Sequence, residues 1–195
     1  DAEHYNSDGF GGHVRRQNGR VFLGDSNFAG VYDISAGGAP VEEGRALLQG
    51  DLDIATPIGN VMVLSVDKDA SPGQASAVVP FANSADSQGP RVEFTWPADG
   101  SILVAASTRI GVAFDEEVEF KSVFEGSFRV AAASGRRVPG SFSLQGSLVT
   151  FSPEEPLAQD TSYQVVIPAG GVVDFTGNAT AEEYGYSFTT GEGLD

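Results

Sequence analysis

The chain has 195 residues, 41% of them hydrophobic, with 25 glycines, 10 prolines, two histidines and no cysteine. Its 27 acidic residues against 11 basic ones give a net charge of −16, which repels nucleic acid phosphates and anionic membranes and leaves no basic cluster able to release counterions. Without cysteine there is no disulfide framework, thiol nucleophile or cysteine-based zinc site, so each unit must be held by its apolar core alone.

The length fits two units of about 100 residues each, and the abundance of Gly, Val, Ser, Thr and Phe without a helical period predicts an all-β chain. The segment DAEHYNSDGFGG lacks the basic and apolar parts of a signal peptide, so the expectation is a piece of a longer protein, with any export signal removed or lying upstream. No apolar run approaches the roughly 18 residues of a membrane span.

Residues 1–90 read as a β-rich segment. Strands are expected at 13–16, 20–23 and 30–34 with a turn at Gly19, and again at 52–55, 61–66 and 76–81 with a turn at Gly59. The two sets recur after about 40 residues, the period of a four-stranded propeller blade. The phrase GVYDISAGGAPVEEG resembles the end of a blade in bacterial β-propellers of the LVIVD type. That resemblance implies further blades upstream or in a partner chain, because two blades cannot close a ring. The alternative is a self-contained small sandwich or barrel.

FANSADSQGP, residues 81–90, is small and polar and ends in Gly-Pro, the composition of a linker, which divides the chain into 1–90 and 91–195. Downstream, about seven strands are expected at 92–96, 101–105, 109–114, 127–131, 140–143 with 148–152, 162–167 and 183–190. Ile110, Val112 and Phe114 share one face of their strand, as do Tyr163, Val165 and Ile167. Tyr163 follows Thr161 by two residues and Leu157 by six, the spacing of the tyrosine corner of immunoglobulin-like sandwiches, where the phenol bonds backbone a few residues upstream.

Five phrases then occur in order. They are Pro97-x-Asp99-Gly100, Ile110-x-Val112-x-Phe114-Asp115-Glu116-x-Val118, Phe151-x-Pro153-x-x-Pro156-Leu157-x-x-x-Thr161-x-Tyr163, Asp174-x-x-Gly177-Asn178 and Ser187-Phe188-Thr189-Thr190. Together they resemble the bacterial Ig-like domain of the SbsA type over residues 90–191. The stretch 101–107 departs from that pattern by lacking its proline. The resemblance implies an Ig-like β-sandwich on a secreted or cell-surface bacterial protein, serving as spacer, stalk or binding module, with no catalytic residues to carry over.

The residues themselves offer little catalytic chemistry. His4 and His13 are the only histidines and the second half has neither His nor Cys, which excludes a Ser-His-Asp site there. The acids Asp115, Glu116, Glu117 and Glu119, with Glu154, Glu155, Glu182 and Glu183, fall at strand ends and turns, where solvated carboxylates are ordinary, so a glycosidase pair is not expected. The loop opening Asp67-Lys68-Asp69 starts like a calcium loop but places Pro72 where an EF-hand needs glycine. Asp115 and Glu116, joined by Asp99 or Asp174, are the candidate calcium ligands; no other cofactor is expected.

Asp174, Gly177 and Asn178 read as a capped turn, and Asn178-Ala179-Thr180 is also an N-glycosylation triplet. Phe120, Phe124, Phe128 and Phe142 are either core or an exposed patch, and an exposed Phe124 would make the 120–128 loop a docking surface. The expected role is therefore a noncatalytic extracellular or cell-surface module, with a protein or a cell-surface polymer as partner. A carbohydrate-binding module whose first-half loops do the recognition, or an accessory region of a secreted enzyme, are the alternatives.

Overall fold

The computed structural model describes residues 13–25, 27–68 and 75–192. Among them every regular element is a β-strand except one 3₁₀ turn, Phe120–Ser122, and no helix is long and apolar enough to cross a membrane. The chain divides into two compact units, residues 1–87 and 88–195.

In the first unit, β1 (Val14–Gln17), β2 (Arg20–Asp25), β3 (Phe28–Asp33) and β4 (Val41–Leu47) form an antiparallel meander. A second sheet is made of β5 (Asp51–Ile58), β6 (Val61–Lys68) and β7 (Ser76–Pro80). Asn18 and Gly19, at φ of 49° and 75°, make the two-residue turn between β1 and β2, since paired positive φ values match the twist of a hairpin. Phe22, Ala29 and Val31 from the first sheet and Leu52, Ala55, Met62, Leu64 and Val66 from the second close one core, with Phe81 edge-on to Phe22 at 4.7 Å.

Gly24 of β2 is the point of close approach. A Cβ there would lie 2.8 Å from the backbone of Asp53 and of Ile54. Bare backbone lets β2 press against β5, so the two sheets behave as layers around a shared core. This corrects the propeller-blade expectation: the second set stops at three strands, and the described residues form no propeller ring. The calcium-like loop has Asp69 to Ser71 and Pro72 outside the described residues, as is His4.

The second unit is the Ig-like sandwich. One sheet has the order β12 (Gly140–Gln145), β13 (Leu148–Pro153), β10 (Ile110–Phe114), β8 (Val92–Trp96). The other runs β11 (Arg129–Ala132), β14 (Ser162–Ile167), β15 (Tyr184–Thr190), β9 (Ser101–Val104). All pairings are antiparallel except β9 with β15. Alternation turns Ile110, Val112 and Phe114, Val149 and Phe151, and Tyr163, Val165 and Ile167 inward, all nearly or fully buried. Burying each such side chain is worth roughly 1.5–3 kcal/mol, which is how the fold stands without a covalent staple.

The Pro97-x-Asp99-Gly100 phrase closes the turn from β8 to β9 onto β15. Asp99 Oδ1 accepts the Ser187 amide at 3.0 Å, and the Gly100 amide donates to Ser187 O at 2.8 Å. Gly89 lies so close to the Ala179 carbonyl that a Cβ would strike it, so the end of the Gly-Pro segment is already packed on this unit.

Candidate functional site

Three polar constructions organise the sandwich. At the first, the Tyr163 ring is buried at the head of β14, stacked 5.6 Å from Phe188, and its hydroxyl accepts the Ala158 amide at 2.8 Å. Leu157 is buried beside it and donates its amide to Ala106 O at 2.9 Å. Thr161 Oγ1 donates to Gln159 O at 2.8 Å, and the Thr161 amide donates to Thr190 Oγ1 at 3.1 Å. The Thr190 hydroxyl lies 2.6 Å from Ala158 O and 3.1 Å from Thr161 O, with its one proton to give to either. Thr190 was not among the sequence candidates; only its place at the end of β15 opposite Thr161 reveals its role.

At the second, Asp174 is 2% exposed and fully engaged. Oδ1 accepts the amides of Thr176 (2.7 Å) and Asn178 (2.8 Å), while Oδ2 accepts Thr176 Oγ1 (2.9 Å) and Asn178 Nδ2 (3.0 Å). Gly177 supplies the φ of 94° that the turn requires. The Asn178 side-chain amide also donates to Thr176 Oγ1 at 2.8 Å, so the nitrogen of the glycosylation triplet is part of the turn. Thr180, also buried, caps the same loop by accepting the Gly171 amide at 3.1 Å and donating to Pro168 O at 3.0 Å.

The third construction separates the two candidate calcium ligands. Asp115 takes Arg91 from both sides: Oδ1 accepts its amide at 2.8 Å and Oδ2 its guanidinium Nε at 2.9 Å. Glu116 is 3% exposed, with a carboxylate oxygen within 4.8 Å of one of Asp174. A carboxylate offers about four lone-pair sites, and those of Asp174 already meet four donors. Asp115 therefore serves as Arg91's counter-ion, and Asp99 points at Ser187 rather than into this group.

The phenylalanines sort into both alternatives. Phe128 is in the core with the partly buried Phe142 edge-on against it at 5.5 Å, whereas Phe120, Phe124 and Phe175 are half or more exposed. Tyr186 is buried, yet its hydroxyl meets no hydrogen-bond partner among the described residues. Burial, with the nearby charges of Tyr184 and Asp99 adding to it, holds the phenol well above its ordinary range. On the sheet surface, Phe94 (58% exposed) and Trp96 (60%) stand outward on β8, an exposure the bare strand pattern did not announce. His13, outside the sandwich, is exposed and donates its amide to Asp53 O at 2.7 Å.

A family model described as "Bacterial Ig-like domain" matches residues 86–190. No curated protein matches the chain. Among solved structures, the N-terminal part of the bacterial S-layer protein SbsC is similar at 20% identity and a TM-score of 0.41, over 52% of this chain and 23% of that one. An L,D-transpeptidase from Mycobacterium smegmatis is similar at 22% identity and a TM-score of 0.38, over 52% and 40%. CopC from Methylosinus trichosporium OB3b is similar at 19% identity and a TM-score of 0.40, over 52% and 93%. The chain thus spans less than half the length of the S-layer fragment and of the transpeptidase.

Proposed function

The chain belongs to the bacterial Ig-like domain family through residues 86–190, and on that premise we propose that it is a noncatalytic module of a bacterial surface protein, a structural spacer that resists tension and also offers protein contacts. The supporting observation is the parallel pairing of β9, near the entry of the sandwich, with β15 at its exit. Ser101 stands opposite Phe188 and Val104 opposite Thr190, and the Gly191 amide donates to Val104 O at 3.1 Å. Tension applied to the two ends of the unit pulls parallel neighbours in opposite directions, so their hydrogen bonds are loaded together in shear rather than one at a time.

The corner adds to this. Thr190, at the end of the loaded strand, is tied to Thr161 and Ala158, and Tyr163 ties Ala158 again. A spacer needs such a lock more than it needs a cleft. The composition of the sandwich half, with neither His nor Cys, agrees with a noncatalytic role.

Single-molecule pulling on the full chain from its two ends tests the reading. The sandwich is expected to unfold in one event of high force, lowered when Val104→Pro removes strand pairing at β9. A sandwich that yields without a resolved force peak, or turnover of sugars or peptides by the purified chain, would overturn the proposal.

A further inference from the structure

Independently of the spacer reading, we infer that the outer face of the β12-β13-β10-β8 sheet is a binding platform for a neutral polysaccharide. The register lays two rows across this face. One runs Ser143, Thr150, Gly111, Trp96, and the next Gln145, Leu148, Ala113, Phe94. Each begins with a hydroxyl or amide side chain on β12 and ends in an exposed aromatic ring on β8.

Gly111 and Ala113 make the floor between them low. A Cβ built on Gly111 would meet only Leu148 and Trp96 side-chain atoms at 3.7 and 3.8 Å, so the aromatic strip and Leu148 flank a shallow bare strand. Phe94 and Trp96, two residues apart, are spaced about 7 Å along the strand, and the four strands span about 14 Å. Those are the dimensions of a pyranose residue and of a short oligosaccharide lying across the sheet. Sugar C–H faces stack on the negative faces of aromatic rings, while sugar hydroxyls need the donors and acceptors that Ser143, Thr150 and Gln145 supply.

Charge selects the occupant. None of the eight row residues is ionisable, although the chain carries 27 acidic and 11 basic residues. A basic partner finds no carboxylate in these rows to pair with, and an acidic polymer meets a net charge of −16. A second copy brings the same −16 against it, and a purely apolar partner would bury the Ser, Thr and Gln side chains without partners. An uncharged polymer with alternating apolar faces and hydroxyls meets none of these penalties.

Trp96 is the only tryptophan of the chain, so its emission reports on this face alone. The test is native gel electrophoresis of the full chain through gels containing hydroxyethyl cellulose, a soluble β-1,3-glucan or a soluble mannan, with tryptophan emission read in parallel. Retardation by at least one of these, with a change in Trp96 emission, is expected. Trp96→Ala and Phe94→Ala should weaken it about tenfold with unchanged circular dichroism, while Trp96→Phe and the loop control Phe175→Ala should retain it. The inference is overturned if none of the three polymers retards the chain, if Trp96→Ala binds as wild type, or if the emission changes with protein concentration alone as the mass doubles.

Discussion

Thr190 and Thr161 hold each other reciprocally: the Thr190 amide donates to Thr161 O at 3.0 Å, and the Thr161 amide donates to Thr190 Oγ1 at 3.1 Å. The pair joins the end of β15 to the loop that launches β14, beside the Tyr163 hydroxyl on Ala158. Thr190→Val keeps the volume and removes the hydroxyl, which leaves the Thr161 amide without its acceptor. A loss of about 1–3 kcal/mol is expected. Tyr163→Phe should cost less, about 1 kcal/mol, because Ala158 is exposed and water can replace the phenol. Thermal melting of the sandwich transition checks the order.

Gly24→Ala is expected to destabilise the first unit by about 1–3 kcal/mol, since the new methyl meets backbone of Asp53 and Ile54, which cannot rotate away. Gly44→Ala, with nothing within 4 Å, is the matched control and should be close to neutral. Calorimetry resolving the two units should show the first transition lowered by Gly24→Ala and the sandwich transition unmoved.

Tyr186→Phe should raise stability by about 1 kcal/mol at neutral pH, because a buried hydroxyl without a partner among the described residues is removed while the ring stays. Its folded phenol is held above the ordinary value. The stabilising preference for the neutral form is therefore complete below about pH 10, where unfolded tyrosine ionises, and is lost as pH rises toward the folded value. Denaturant midpoints between neutral and strongly alkaline pH should fall more steeply for wild type than for Tyr186→Phe.

Asp174→Ala strips four donors of their acceptor and is expected to cost about 2–4 kcal/mol, with Asp174→Asn recovering part of it. Calcium and chelator should leave the melting temperature of the wild type unchanged. Asp115 is bound to Arg91 and Asp174 already meets four donors, so neither offers the open oxygens of which calcium takes roughly six to eight. A calcium-dependent rise in melting temperature would contradict that assignment.

Legibility in the sequence followed the range of each interaction. Strands β10 and β14 were readable because Ile110, Val112, Phe114 and Tyr163, Val165, Ile167 alternate within one strand. Asp174, Gly177 and Asn178 lie within five residues, so their turn chemistry is local too. β4 escaped notice: Val41–Leu47 carries two glutamates, a glycine and an arginine, and at the sheet edge it buries no residue fully, so it shows no alternation. The two sets of strands in the first half looked like blades because short β-hairpins share one pattern whatever they pack against.

By itself the sequence determined the class of the chain, the buried faces of β10 and β14 and the local turns, since backbone periodicity and positive-φ preferences act over a few residues. Only the tertiary structure brought Arg91 onto Asp115, 24 residues away. It also decided that Phe128 is core with Phe142 packed against it while Phe120 and Phe124 are surface, and that Phe94 and Trp96 face outward beside Gly111. Those outcomes depend on which strands become neighbours, and that choice is made by burying all the strands at once.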